Sequence, residues 1–330
     1  MLATQMKATL QLELLARLSE ARSRTDELFD LVTPDSFYER PIPERHRIVF
    51  YLGHVEAFDW NLLHQRVLNR RSFHPGFDRL FAFGIDPVEG ELPSDHPVDW
   101  PSIAEIRNYN SRVRRFLDSG LQKALLSRSE SGNGATPDDF PASILLNVAI
   151  EHRLMHAETL AYILHQLPLN RKLHRPLKPP AEGGPKRPEM VEIPEGSAVC
   201  GLSRDDSDVF GWDNEYEEQT ASVPSFSIDR TKVTNGQYLE FIRAGGYDDR
   251  ALWSADAWKW KTEHGISHPA FWKRAGDRWH YRAMFADLPL PLDWPVYVSH
   301  AEAAAYAHWA GKSLPSEAQW HRAAYGAPHG

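Results

Sequence analysis

Apolar positions in the first half of the chain recur at helical spacing over long stretches. Leu10, Leu14, Leu18 and later Leu28 predict a helix over residues 8–32, closed by Thr33-Pro34-Asp35. After Pro41 and Pro43 a second helical pattern covers residues 44–70. There His54, Phe58 and Asn61 share a face, with Phe50 and Tyr51 one turn earlier. Gly53 beside His54 admits close approach by another backbone or a ligand. Residues 71–100, rich in Gly, Pro, Asp and His, read as a long loop whose Phe77, Phe81 and Phe83 either cover a pocket or, as favoured here, pack the loop down. The capping box Ser102-x-x-Glu105 opens a third helix running to Leu126, and a polar loop from Ser127 to Asp138 follows. The fourth pattern, over residues 141–167, is long and unbroken. Four long helices joined by loops predict an antiparallel bundle.

Residues 168–190 interrupt this texture. Pro168, Pro176, Pro179, Pro180, Pro185 and Pro188, with Gly183-Gly184, forbid regular helix and mark a linker. The expected division is a bundle over 1–167, the linker over 168–190 and a second domain over 191–330. In that domain the segments are short and aromatic, with frequent turns. Pro224 to Asp229 alternates like a strand. Thr234 is placed to cap a helix over 235–243 that ends at Gly245-Gly246, and Ser299 to cap one reaching Trp309 before Gly311. A third helix starts after Pro315 and includes Glu317 and Trp320. The expected class is α+β.

Bulk properties narrow the function. A chain of 330 residues exceeds one ordinary core and favours two domains. The net charge of -8 gives no electrostatic footprint for nucleic acid. No apolar run is long enough to span a bilayer, and the N-terminus lacks a signal-type apolar region, so a membrane is not an expected partner. The single cysteine, Cys200, excludes an internal disulfide framework and a multi-cysteine zinc site, and fits a reducing cytoplasm. The tryptophans, most of them in the second half, are core filler by default.

The candidate chemistry lies in Glu151-His152-Arg153-Leu154-Met155-His156-Ala157-Glu158. Two histidines four apart on a helix stand one above the other, a geometry that lets two imidazoles reach one metal ion. Val148, His152, Met155, His156, Thr159 and Ile163 share this face, whose apolar members turn it inward. A buried pair of imidazoles wants a metal or specific hydrogen-bond partners. Such pairs also arise by chance, and His54 taken alone reads as a satisfied core histidine. Glu158, on another face, is placed to orient a neighbouring group as a carboxylate behind the ligands. In a bundle, His54 from the second helix would join His152 and His156 from the fourth, and three neutral ligands leave positions open for a substrate or oxygen.

These residues resemble two known modules in one order. His54, His152 and His156 match the metal triad of the DinB-like four-helix bundle. The string His152-x-x-x-His156-x-Glu158 resembles the sulfoxide synthases of ergothioneine and ovothiol biosynthesis. The second half resembles the formylglycine-generating-enzyme-like (FGE-sulfatase) domain, which is C-type-lectin-like. The strings that carry this are Phe210-Gly211-Trp212-Asp213-Asn214-Glu215, Val233-Thr234-Asn235-Gly236-Gln237-Tyr238, Gly245-Gly246-Tyr247, Pro295-Val296-Tyr297-Val298-Ser299 and Ala310-Gly311-Lys312-Ser313-Leu314-Pro315-Ser316-Glu317-Ala318-Gln319-Trp320.

The resemblance implies a hercynine oxygenase type of enzyme. Fe(II) on His54, His152 and His156 binds a thiol and O2, and a carbon–sulfur bond forms at the imidazole of hercynine with oxidation of sulfur to a sulfoxide. The implied donor is cysteine or γ-glutamylcysteine. Two departures stand out. The chain reaches Gly330 soon after Pro315-Ser316-Glu317, whereas the resembled domain continues through a segment holding the tyrosine proposed for oxygen chemistry. The second domain is therefore expected to be C-terminally incomplete, and no catalytic residue is assigned. Met155 stands where some members have a glutamine that contacts the imidazole substrate, which predicts a different substrate contact in the pocket. The alternatives are a DinB-like, metal-dependent thiol S-transferase and a short, non-catalytic metal-binding form. A formylglycine-generating activity needs a cysteine pair, and Cys200 is single.

Overall fold

The computed structural model describes residues 2–85, 92–128, 141–173, 175, 183–184, 187–205 and 209–326. The chain divides into two compact units, Met1–Arg175 and Pro176–Gly330. The first is helical and the second mixes short helices with small sheets, which is the α+β class expected.

The helices of the first unit are α1 (Leu2–Phe29), α2 (Ile48–Leu63), α3 (Pro75–Phe83), α4 (Ile103–Arg128) and α5 (Ala142–Gln166). α2 is the central element. It packs on α3, α4 and α5, while α1 packs on α5 and α4. A helix apolar on most sides is one that is covered on most sides, and α2 is buried along nearly its whole length. Leu14 and Leu18 of α1, Val113 and Leu117 of α4, and Leu146, Ile150 and Leu160 of α5 close the core around it. The chain after α5 returns to the end of α1, where Leu173 N–H donates to the Leu31 carbonyl at 2.7 Å. No described helix is long and apolar enough to cross a membrane.

Two expectations need correction. The stretch 71–100 is not one long loop, since it contains α3. Its punctuation is that of a short helix: His74 Nδ1 accepts from Phe77 N–H at 3.1 Å, Pro75 occupies the first turn, and Gly84 ends it at φ +76. Phe81 is fully buried, as packing predicts, but Phe83 is exposed. The second helix is also shorter than its pattern. It stops at Leu63, and the chain turns through Asn69 at φ +49, a conformation that Asn tolerates. The expected loop from Ser127 to Asp138 lies outside the described residues beyond position 128, as do residues 174, 176–182 and 185–186 of the expected linker.

A buried carboxylate fixes the approach to α2. Asp95 takes an ion pair from Arg40, Nε of Arg47 at 2.8 Å and Nε1 of Trp100 at 2.8 Å. Arg47 also donates to the Tyr38 carbonyl at 2.6 Å. Burial works to push the Asp95 pKa up, but these donors and charges overcome it and hold the carboxyl below its usual value. Arg40, Arg47 and Trp100 are therefore tied to one acid at the N-terminal end of α2.

In the second unit β1 (Met190–Ile193) pairs antiparallel with β4 (Phe226–Asp229), and β2 (Gly196–Cys200) with β3 (Gln219–Val223). A third antiparallel sheet follows the order β5 (Trp272–Ala275), β6 (Arg278–Arg282), β7 (Asp287–Pro289). Among the described residues the helices that accompany them are α6 (Asn235–Arg243), α7 (Ala255–Glu263), α8 (His300–Trp309) and α9 (Glu317–Tyr325). Thr234, Ser299 and Ser316 each cap their helix in a box with a Gln or Glu three residues on. Tyr238, Phe241, Tyr247, Trp253 and Trp272 form the core of this unit. Glu302 does double duty there, returning to Ser299 N–H at 2.8 Å and accepting from Tyr247 at 2.6 Å.

Candidate metal centre

Three imidazoles converge between α2 and α5. Nε2 of His54 lies 3.2 Å from Nε2 of His152 and 3.1 Å from Nε2 of His156, and the latter two are 3.1 Å apart. His152 and His156 are one helical turn apart on α5, and His54 reaches them across the bundle. His54 and His152 are buried, and His156 is partly so. The His54 ring is oriented by its Nδ1, which donates to the Phe81 carbonyl at 2.6 Å and so leaves an unprotonated Nε2. This explains Gly53: a Cβ there would overlap the Phe81 ring, so the space it opens is taken by α3. Aromatic rings of α2 face each imidazole. Phe50 stacks on His54 at 4.7 Å, Tyr51 lies 5.6 Å from His156, and Phe58 lies parallel to His152 at 3.4 Å.

The electrostatics keep the rings neutral. Burial, together with the neighbouring imidazoles, pushes His152 down to about 2 and His156 to about 3, and burial lowers His54 as well. Three nitrogen lone pairs packed at about 3 Å repel one another unless something positive sits among them. Bonds of about 2.1 Å reach a common point from all three nitrogens. The donor set therefore fits one divalent cation held by three neutral imidazoles, a set that suits iron or zinc.

Below the triad lies a buried ionic network that the sequence pattern did not reveal. Arg153, next to His152, donates to Glu56 at 3.0 Å, to Asp59 at 2.5 Å and to the Val55 carbonyl at 2.8 Å. Arg114 of α4 bridges Glu56 at 2.6 Å and Asp26 of α1 at 2.7 Å. Burial alone would raise Glu56, but Arg153 and Arg114 win and hold it at about 2, whereas burial keeps Asp59 raised. Two acids inside the apolar run of α2 were the available signal, because buried charges need partners.

The remaining expected site residues, Glu158 and Met155, are not among the convergent imidazoles. Glu158 is exposed. Among the described residues the buried Nδ1 atoms of His152 and His156 meet no hydrogen-bond partner, so neither ring is hydrogen-bonded to Glu158. Met155 is 51% exposed.

Comparison with known proteins bears on this geometry. Residues 17–160 match the DinB superfamily, and residues 177–330 match the sulfatase-modifying factor enzyme 1-like domain. The hercynine oxygenase of Mycobacterium tuberculosis is 33% identical over 319 residues, covering 94% of this chain and 69% of that protein. The chain belongs to the hercynine oxygenase family. Another hercynine oxygenase, from Mycolicibacterium thermoresistibile, is 28% identical over 94% of the chain and 66% of its own length. Ergothioneine biosynthesis protein 1 of Schizosaccharomyces pombe is 30% identical over 87% of the chain, which spans only 38% of that protein. The hercynine oxygenase family thus accounts for both halves of the chain in one order.

Proposed function

We propose that His54, His152 and His156 hold Fe(II), and that the protein joins a thiol to the imidazole of hercynine with O2 to give a sulfoxide. The observation that carries this is the mutual approach of three Nε2 atoms at 3.1–3.2 Å, in a chain of the hercynine oxygenase family. When bound, iron supplies open coordination positions where a thiolate and O2 are brought together. The balance is simple. The imidazole C–H and the thiol S–H give way to a carbon–sulfur bond, one oxygen atom ends on sulfur, and the other leaves as water with both hydrogens.

The residues of this chain contribute position and electrostatics. Low-pKa imidazoles stay available as ligands at neutral pH. The three neutral imidazoles would leave a bound divalent ion its full charge, which would favour thiolate over thiol. Met155 is proposed as part of the pocket wall, where it offers a thioether surface and no hydrogen-bond donor. Cysteine and γ-glutamylcysteine are the proposed donors, and a cytoplasmic setting with Cys200 reduced belongs to the same proposal.

The test is oxygen uptake by anaerobically iron-loaded protein given hercynine with cysteine, then hercynine with γ-glutamylcysteine, with mass analysis of the products. Thiol-dependent uptake and a new sulfoxide are expected with one donor. Thiol transfer without oxygen consumption would replace the proposal with an S-transferase.

A further inference from the structure

The three imidazoles are not held in the same way. His54 has a directional restraint, its 2.6 Å hydrogen bond to the Phe81 carbonyl, and Phe50 lies against its face. His156 has the tilted ring of Tyr51 at 5.6 Å. Among the described residues Nδ1 of His152 meets no hydrogen-bond partner, although that atom is buried. What it has is Phe58, whose ring lies 3.4 Å from the imidazole centroid with only 10° between the planes. Phe58 is one turn beyond His54 on α2, so a single helix face carries both a candidate ligand and the surface on which another candidate ligand lies.

Building on the metal reading of the triad, we propose that Phe58 is a positioning residue that sets the ring plane of His152. An imidazole with a free Nδ1 can turn about its last side-chain torsion, a broad and soft one. A parallel aromatic face removes that freedom, because rotation drives the ring edge into the phenyl. The stack also suits the bound state. A ring that gives its lone pair to a cation becomes electron-poor, and an electron-rich phenyl face attracts such a ring. A side-chain hydrogen bond commonly orients a ligand histidine; here a ring face takes that part.

The test uses the full chain and Co(II) alone, whose visible ligand-field bands report the geometry of the ligands. Wild type is expected to bind one Co(II), lost in His152→Ala. Phe58→Leu is expected to weaken binding about 10-fold and to change the bands, while Phe58→Tyr, which keeps the face, retains both affinity and spectrum. The melting midpoint of each metal-free variant separates positioning from folding, and Phe58→Met replaces Phe58→Leu if the latter does not fold. Wild-type affinity and bands in the leucine variant would overturn the role of Phe58, as would an equal loss in Phe58→Tyr. If wild type takes up no Co(II), or His152→Ala still does, the metal reading itself fails and the role of Phe58 falls with it.

Discussion

Arg153 and Asp59 meet at 2.5 Å with both side chains fully buried, joining α5 to α2 one residue away from His152. The pair belongs to a network in which Glu56 is shared between Arg153 and Arg114. Each guanidinium replaces the water that its carboxylate lost on folding, so the network is sensitive to the loss of one member.

Arg153→Ala is therefore expected to destabilise the protein by about 3–5 kcal/mol, since it strands buried acid groups. Urea unfolding followed by circular dichroism measures this. Replacing Arg153, Glu56 and Asp59 together by apolar residues of similar size should recover much of the loss. A cost below about 1 kcal/mol for the single change would mean that the acids find other partners.

Gly53→Ala should damage both fold and site. The new methyl would overlap the ring of Phe81, which is fully buried and cannot swing away. Overpacking of this kind costs about 1–3 kcal/mol. The carbonyl of Phe81 is the partner of His54 Nδ1, so metal affinity should fall with stability. Thermal unfolding and metal titration of the same variant check both parts. Unchanged metal affinity would separate His54 from the position of Phe81.

The pH response of the first unit should carry the mark of Asp95. Its folded pKa lies below its unfolded value of about 3.9. As pH falls, the unfolded chain takes up this proton first. The stabilisation is fully present above about pH 5 and is lost as pH drops through the folded pKa. Asp95→Asn should therefore be less stable than wild type at pH 7, with the gap closing below about pH 4. Urea midpoints measured from pH 7 to pH 3 test this, and parallel curves for the two proteins would contradict it.

The parts of the structure legible in the sequence are those that local chemistry dictates. The capping residues Thr234 and Ser299 start their helices where a hydroxyl can meet an orphan N–H. The long repeat after Pro141 gives α5 almost residue for residue. The four-residue spacing puts His152 and His156 on one face, but the approach of His54 is a long-range relation that no local pattern carries. The same holds for Arg153 with Asp59 and for Phe58 on His152, pairs that lie far apart in the chain. The short helix α3 was hidden for another reason. Its proline and glycine, read as loop punctuation, are its first turn and its end.

The most direct test of the central claim is the iron content of the chain after anaerobic loading with Fe(II) and removal of excess. One iron per chain is expected for wild type and for Glu158→Ala, and none for His54→Ala, His152→Ala or His156→Ala, each checked for folding by circular dichroism. Full iron in any folded histidine variant would place the metal elsewhere and contradict a centre built from these three residues.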